Sequence, residues 1–111
     1  MEYRQIADDF AVTGQITADD IGAVKAAGFK SVICNRPDSE EGAVPHAEIE
    51  AAAKAAGLAF RHIPVVASNI TPEDVARMAD ALDELEGPVF AYCRSGARST
   101  NLFTMAKQSR A

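Results

Sequence analysis

The chain has 111 residues, 48% of them apolar, and a formal net charge of −5. That is enough apolar surface for one ordinary core, so residues 1–111 are expected to fold as a single domain. The acidic balance leaves no basic field to draw nucleic acid or an anionic membrane, although a local cluster of amides and arginines can still hold a small anion.

Two cysteines do not make a disulfide framework. No apolar run approaches a membrane span. The opening stretch MEYRQIADDF carries charges where a secretory signal needs an apolar region. These absences predict a soluble, cytoplasmic, bacterial-type protein.

The first candidate strand is Phe10–Gly14, FAVTG. TADDIGAVKAAG follows as a helix, with Thr17 as N-cap, Asp19 and Asp20 in its first turn and Gly28 as C-cap. Phe29–Asn35, FKSVICN, is β-branched and apolar and reads as a strand. The turn-rich loop RPDSEEG comes next. A helix then starts near Pro45 and stops at Gly57. Leu58–Val66 is the third clear strand. TPEDVARMADALDELEG is the best-signalled helix, capped by Thr71 and Pro72, with Val75, Met78, Leu82 and Leu85 on one face. Pro88–Tyr92, PVFAY, has little polar content and reads as a central strand. A last helix begins near Arg98 and presents Leu102, Met105 and Ala106.

Such alternation predicts an α/β fold. Its sheet is mostly parallel, of about four to five strands, with helices on both faces. Ligands of such sheets collect beyond the carboxyl ends of the strands. Cys93 stands there, in AYCRSGARST. A tight strand-to-helix loop aims several backbone N–H groups inward, and the helix start adds partial positive charge. Gly96 permits a backbone conformation that a Cβ would penalise. Arg94 and Arg98 supply planar donors for oxyanions. In such settings a thiol pKa falls to roughly 3.5–7.5. The candidate nucleophile is therefore Cys93, with Arg98 as its catalytic partner. Arg94, Ser95, Gly96, Ala97 and Ser99 are the candidate substrate cradle.

The strand–Cys-loop-Arg–helix unit resembles the cysteine-dependent phosphatases and the rhodanese sulfurtransferases. The tyrosine and dual-specificity phosphatases place five residues between Cys and Arg. Here there are four, Arg94, Ser95, Gly96 and Ala97, so CRSGAR resembles the rhodanese loop. The rest of the chain resembles a short dual-specificity phosphatase. With FAVTGQ, NRPDSEEG and CRSGARS together, the sequence is similar to the phosphatase-like domain of beta-lactamase-hydrolase-like proteins. The resemblance implies the dual-specificity-phosphatase type of fold, and a persulfide dioxygenase as a fused or separate partner. In the related loops a hydroxyl after the arginine serves the thiolate, a role that falls here to Ser99, or to Thr100 if the loop register differs.

Loop length and acids then order the chemistries. A phosphocysteine cycle needs an acid for the leaving alkoxide. In dual-specificity phosphatases that acid is an aspartate on the loop before the long helix. Here that loop is Ala67-Ser68-Asn69-Ile70, without a carboxylate, and Glu73 and Asp74 read as helix N-terminal acids. Sulfur transfer releases sulfite or a thiolate, neither of which needs a strong acid. The leading expectation is thus a sulfurtransferase forming a Cys93 persulfide, acting on a small sulfur-containing or oxyanion substrate and needing no cofactor. A nonstandard phosphatase is the alternative. A noncatalytic redox or oxyanion-sensing thiol module, with Cys34 as the second thiol, stands third.

Arg36 and Asp38 fall on the active side of the sheet. Arg36 either adds charge at the substrate or pairs with Asp38 to fix the loop. His62 reads as structural and His46 as exposed. Their spacing, with no adjacent cysteine or carboxylate pattern, predicts no metal site.

Overall fold

The computed structural model describes residues 1–111. Five strands form one sheet in the order β1-β2-β5-β3-β4. They are β1 (Arg4–Ala7), β2 (Phe10–Thr13), β3 (Ser31–Cys34), β4 (Ala59–His62) and β5 (Val89–Tyr92). β2, β5, β3 and β4 run parallel. Only β1 is antiparallel, paired with β2 through Arg4↔Val12 and Gln5↔Ala11. The expected α/β fold is present, with a mixed, mostly parallel sheet. β1 is the addition to the predicted strands. It lies on the sheet edge and its first two residues are exposed, so its sequence carries little apolar pattern.

Helix α1 (Ile21–Ala26) follows a short 3-10 turn. α2 is His46–Ala55, α3 is Pro72–Glu84 and α4 is Ala97–Ser109. The predicted caps hold. Thr17 N–H donates to Asp20 at 2.9 Å. Thr71 N–H donates to Asp74 Oδ2 at 2.9 Å, and Thr71 Oγ1 accepts from Asp74 N–H at 3.1 Å. Gly28 and Gly57 follow α1 and α2 at φ +98° and +81°, the left-handed region that favours glycine.

Strand side chains alternate between two apolar layers. Phe10, Val12, Ile33, Val89 and Ala91 face Met78 of α3 and Leu102, Phe103 and Ala106 of α4. Ala11, Val32, Cys34, Phe90 and Tyr92 face Ile21 and Val24 of α1 and Ile49 and Ala53 of α2. The expected α4 face needs one correction. Met105 is 39% exposed, and Phe103 is the buried residue, stacked on Phe10 at 4.1 Å between centroids. β5 is hydrogen-bonded on both edges, and all four of its residues are buried. Its carboxyl end therefore delivers Cys93 from the middle strand of the sheet.

Candidate active site

Backbone bonds stitch the loops beyond the strand ends together. Cys93 N–H donates to the Thr13 carbonyl at 3.4 Å, and Asn35 N–H donates to the Tyr92 carbonyl at 2.8 Å. Gly14 sits where a Cβ would come within 2.8 Å of the Arg94 carbonyl, so β2 can end against the cysteine loop only through a glycine. Gln15 N–H then donates to that carbonyl at 3.4 Å. These contacts supply the physical reason for TGQ, which the sequence gives only as a likeness.

Cys93 is 1% exposed. Its Sγ accepts the Gly96 N–H at 3.0 Å. Gly96 has φ +94° and is the N-cap of α4. A Cβ there would also lie 2.8 Å from Arg4 Nη2. Burial works to raise the thiol pKa. The N–H groups of Ser99, Ser95 and Gly96, with the Ser99 hydroxyl, outweigh it and hold Cys93 below the ordinary thiol range.

Ser99 is fully buried and its hydroxyl donates to Asn35 Oδ1 at 2.8 Å. Asn35 Nδ2 donates to the Ile63 carbonyl at 3.0 Å, which fixes the amide's orientation. The Ser99 hydroxyl has one proton and two acceptors within reach, Asn35 Oδ1 and the Cys93 sulfur. Thr100 Oγ1 donates to the Gly96 carbonyl at 2.8 Å, so the hydroxyl serving the thiolate is that of Ser99.

Arg98 is 8% exposed and tightly held. Its Nη1 donates to Glu40 Oε2 and to the Val65 carbonyl, both at 2.8 Å, and its Nη2 donates to Glu40 Oε1 at 3.2 Å. Glu40 thus occupies one edge of the guanidinium. The Nε–Nη2 edge has no protein acceptor and remains for a bidentate oxyanion. Arg94 is exposed and unpaired at the mouth of a cavity of about 690 Å³ that Arg36, Glu40, Ala67 and Arg98 also line. Ser95 is exposed on the loop and Ala97 at the first position of α4, and Ser95 Oγ accepts the Ala97 N–H at 3.4 Å.

Arg36 departs from the expectation. It lines the cavity, but Nε, Nη1 and Nη2 donate to Glu40 Oε1 (3.1 Å), Gln15 Oε1 (2.9 Å) and the Glu41 carbonyl (2.6 Å). It is a scaffold for the loop and leaves little for a substrate. The partner that fixes it is Glu40, and Asp38 turns instead to His46, accepting from its N–H at 2.9 Å and lying 2.8 Å from Nδ1.

The acids follow the sequence reading. Asp74 is held in the Thr71 cap and Glu73 is exposed at the helix start. Glu40, unremarked in the sequence, is the carboxylate bonded to Arg98. Hydrogen bonds from Arg98 hold its pKa below the ordinary carboxylate range against the effect of burial, and Arg36 adds to them. It is ionised at neutral pH and makes a poor proton donor. Sequence reasoning missed Glu40, Gln15 and Asn35 alike. The one local signal was the glutamate four residues after Arg36 in RPDSEEG, a spacing that reads only as a loop.

Both cysteines are free. The Cys34 thiol lies 3.4 Å from the Arg36 carbonyl and packs with Tyr92 on the α1–α2 face. The histidines correct the metal expectation as to placement. His46 is half-buried, its ring stacks on His62 at 3.7 Å between centroids, and Asp38 joins them.

A buried cysteine in a strand-to-helix amide loop, followed by a clasped arginine, defines a cysteine-phosphatase-like domain. Its fold is shared with the catalytic core of the yeast phosphatase Siw14 (TM-score 0.66, 12% identity, 85% of this chain and 56% of that one). A candidate phosphatase from Neisseria meningitidis superposes with a TM-score of 0.85 at 32% identity, over 97% of this chain and 78% of that one. The family profile of the beta-lactamase hydrolase-like protein, phosphatase-like domain, matches residues 2–110, and the chain belongs to that family. Beta-lactamase hydrolase-like proteins of Agrobacterium fabrum and Xylella fastidiosa are 36% and 34% identical over 108 residues. Those residues are 96% of this chain and 25% of each relative, so the chain spans about a quarter of their length.

Proposed function

We propose that the chain is a thiolate-dependent sulfurtransferase built on the phosphatase-like fold. The observation that carries this reading is the state of the carboxylates. Glu40 is bound by both Arg98 and Arg36, and Asp74 is tied into a helix cap. Neither Glu40 nor Asp74 is free to protonate a leaving alkoxide, and Glu41, the other acid lining the cavity, is exposed at its rim, so the site suits a substrate whose leaving group departs as a stable anion.

The Cys93 thiolate attacks the outer sulfur of thiosulfate or a like sulfane donor. A new S–S bond forms, the old sulfur–sulfur bond breaks, and sulfite leaves with the electron pair. The amides of Ser95, Gly96 and Ser99 face the sulfur and hold the terminal charge of the persulfide. The free edge of Arg98 orients the departing oxyanion, and Arg94 attracts it from the cavity mouth. An acceptor thiolate then takes the terminal sulfur, which restores the Cys93 thiolate and yields a small persulfide. Such a product suits a persulfide-oxidising partner, whether fused or separate.

Phosphoryl transfer through a Cys93 phosphocysteine is the second reading, favoured by the candidate phosphatases of like fold. Intact mass after exposure to thiosulfate separates the two. Sulfur transfer adds one sulfur atom to the reduced protein, reversed by cyanide and absent from Cys93→Ser. Aryl phosphate hydrolysis that depends on Cys93, with no sulfur gained, overturns the proposal in favour of the second reading.

A further inference from the structure

A second cluster lies at the same end of the sheet and takes no part in the chemistry of Cys93. Asp38 comes from the loop after β3, His46 opens α2, and His62 closes β4. One ligand atom from each lies within 4.8 Å of the other two. The His46 and His62 rings are nearly parallel, 12° apart and 3.7 Å between centroids. Asp38 Oδ2 is 2.8 Å from His46 Nδ1, while Oδ1 accepts the His46 backbone N–H. His62 Nε2 is buried without a hydrogen-bond partner, and a buried ring nitrogen in that condition calls for one.

We propose that Asp38, His46 and His62 bind one divalent cation of the zinc class. Two imidazoles and one carboxylate are the donors of borderline metals, whereas calcium and magnesium prefer all-oxygen sets. Three elements separated in sequence converge, and three protein ligands leave a fourth position for water. Around a tetrahedral zinc the donor atoms stand roughly 3.3 Å apart. Closure from the present spread requires the His46 ring to swing out of its stack. That swing breaks the stack but starts from a side chain 29% exposed at the first residue of a helix. The cation replaces the proton shared by Asp38 and His46 and gives the His62 nitrogen its missing partner. It would also tie the loop that carries Arg36 and Glu40 to β4 and α2. The alternative is that Asp38 serves only as an N-terminal cap of α2.

The test is equilibrium dialysis of the full chain against zinc chloride, comparing wild type, Cys93→Ser, His46→Ala and His62→Ala. Expected are one zinc per chain in wild type and in Cys93→Ser, and affinity about tenfold weaker or worse in each histidine variant. Should His62→Ala fail to fold, His46→Ala and a cobalt(II) spectrum of Cys93→Ser decide. Visible bands without a thiolate charge-transfer band support the site. Uptake that survives His46→Ala, uptake lost in Cys93→Ser, a thiolate band from Cys34, or no zinc retained by wild type overturns the proposal.

Discussion

Cys34 and Cys93 stand at the carboxyl ends of adjacent parallel strands, and both are 1% exposed, yet their thiols are pushed in opposite directions. Burial raises Cys34, and its contacts with Tyr92 and the Arg36 backbone do not offset it. Cys93 suffers the same burial, but the amides of Ser99, Ser95 and Gly96 bring it below the ordinary range. The chain after Cys34 carries the ladder one residue further, with the Asn35 amide used on the Tyr92 carbonyl, before it bends at Arg36. The chain after Cys93 closes at once into α4 and turns its amides onto the sulfur. A strand end locates a thiol, and the turn that follows decides whether it becomes a nucleophile.

Replacing each thiol breaks the comparison most directly. On the proposed function, Cys93→Ser should lower sulfur transfer by at least about 10³-fold, measured as turnover of thiosulfate with cyanide. Arg98→Lys keeps the charge but loses the planar fork, and should cost about 10²-fold, mainly in kcat. Glu40→Gln keeps the shape and removes the clasp. A loss of about tenfold in kcat/KM is expected, with a lower Tm, because Arg98 loses its anchor. An unchanged rate would show that the clasp does not orient Arg98. Cys34→Ala should leave turnover within about threefold, and a larger loss would give the second thiol a part in the cycle.

Stability against pH sharpens the same contrast. The depressed pKa of Cys93 contributes stability that is present above the unfolded thiol value, about 8.5, and is lost as pH falls through the folded one. The raised pKa of Cys34 contributes stability present below the unfolded value and lost as pH rises through the folded one. The stability gap between wild type and Cys93→Ser should therefore widen from pH 6 to 9.5. The gap for Cys34→Ala should narrow. Parallel curves from urea melts would contradict the assigned directions.

The sheet was legible because its signals are local. Thr17 and Thr71 begin helices with an acid three residues on, Gly28 and Gly57 end them, and PVFAY lacks polar residues. The cysteine loop was legible for the same reason, since Cys93, Gly96, Arg98 and Ser99 lie within seven positions. What escaped is built across the chain. Glu40 meets Arg98 over a separation of 58 residues and Asn35 meets Ser99 over 64. Asp38, His46 and His62 become neighbours only once β3, β4 and α2 have packed. Met105 and Phe103 exchanged places because they flank the Leu102–Ala106 face on opposite sides at about equal angles, so periodicity alone does not choose between them.

Cys93 also follows a strand that is bonded on both edges at the middle of the sheet. Amide hydrogen exchange at Val89–Tyr92 should accordingly require opening of the whole domain, while β1 exchanges through edge fraying. Turnover then becomes a readout of the globally folded population. A destabilising change far from the loop lowers the number of working molecules while each survivor keeps its full rate.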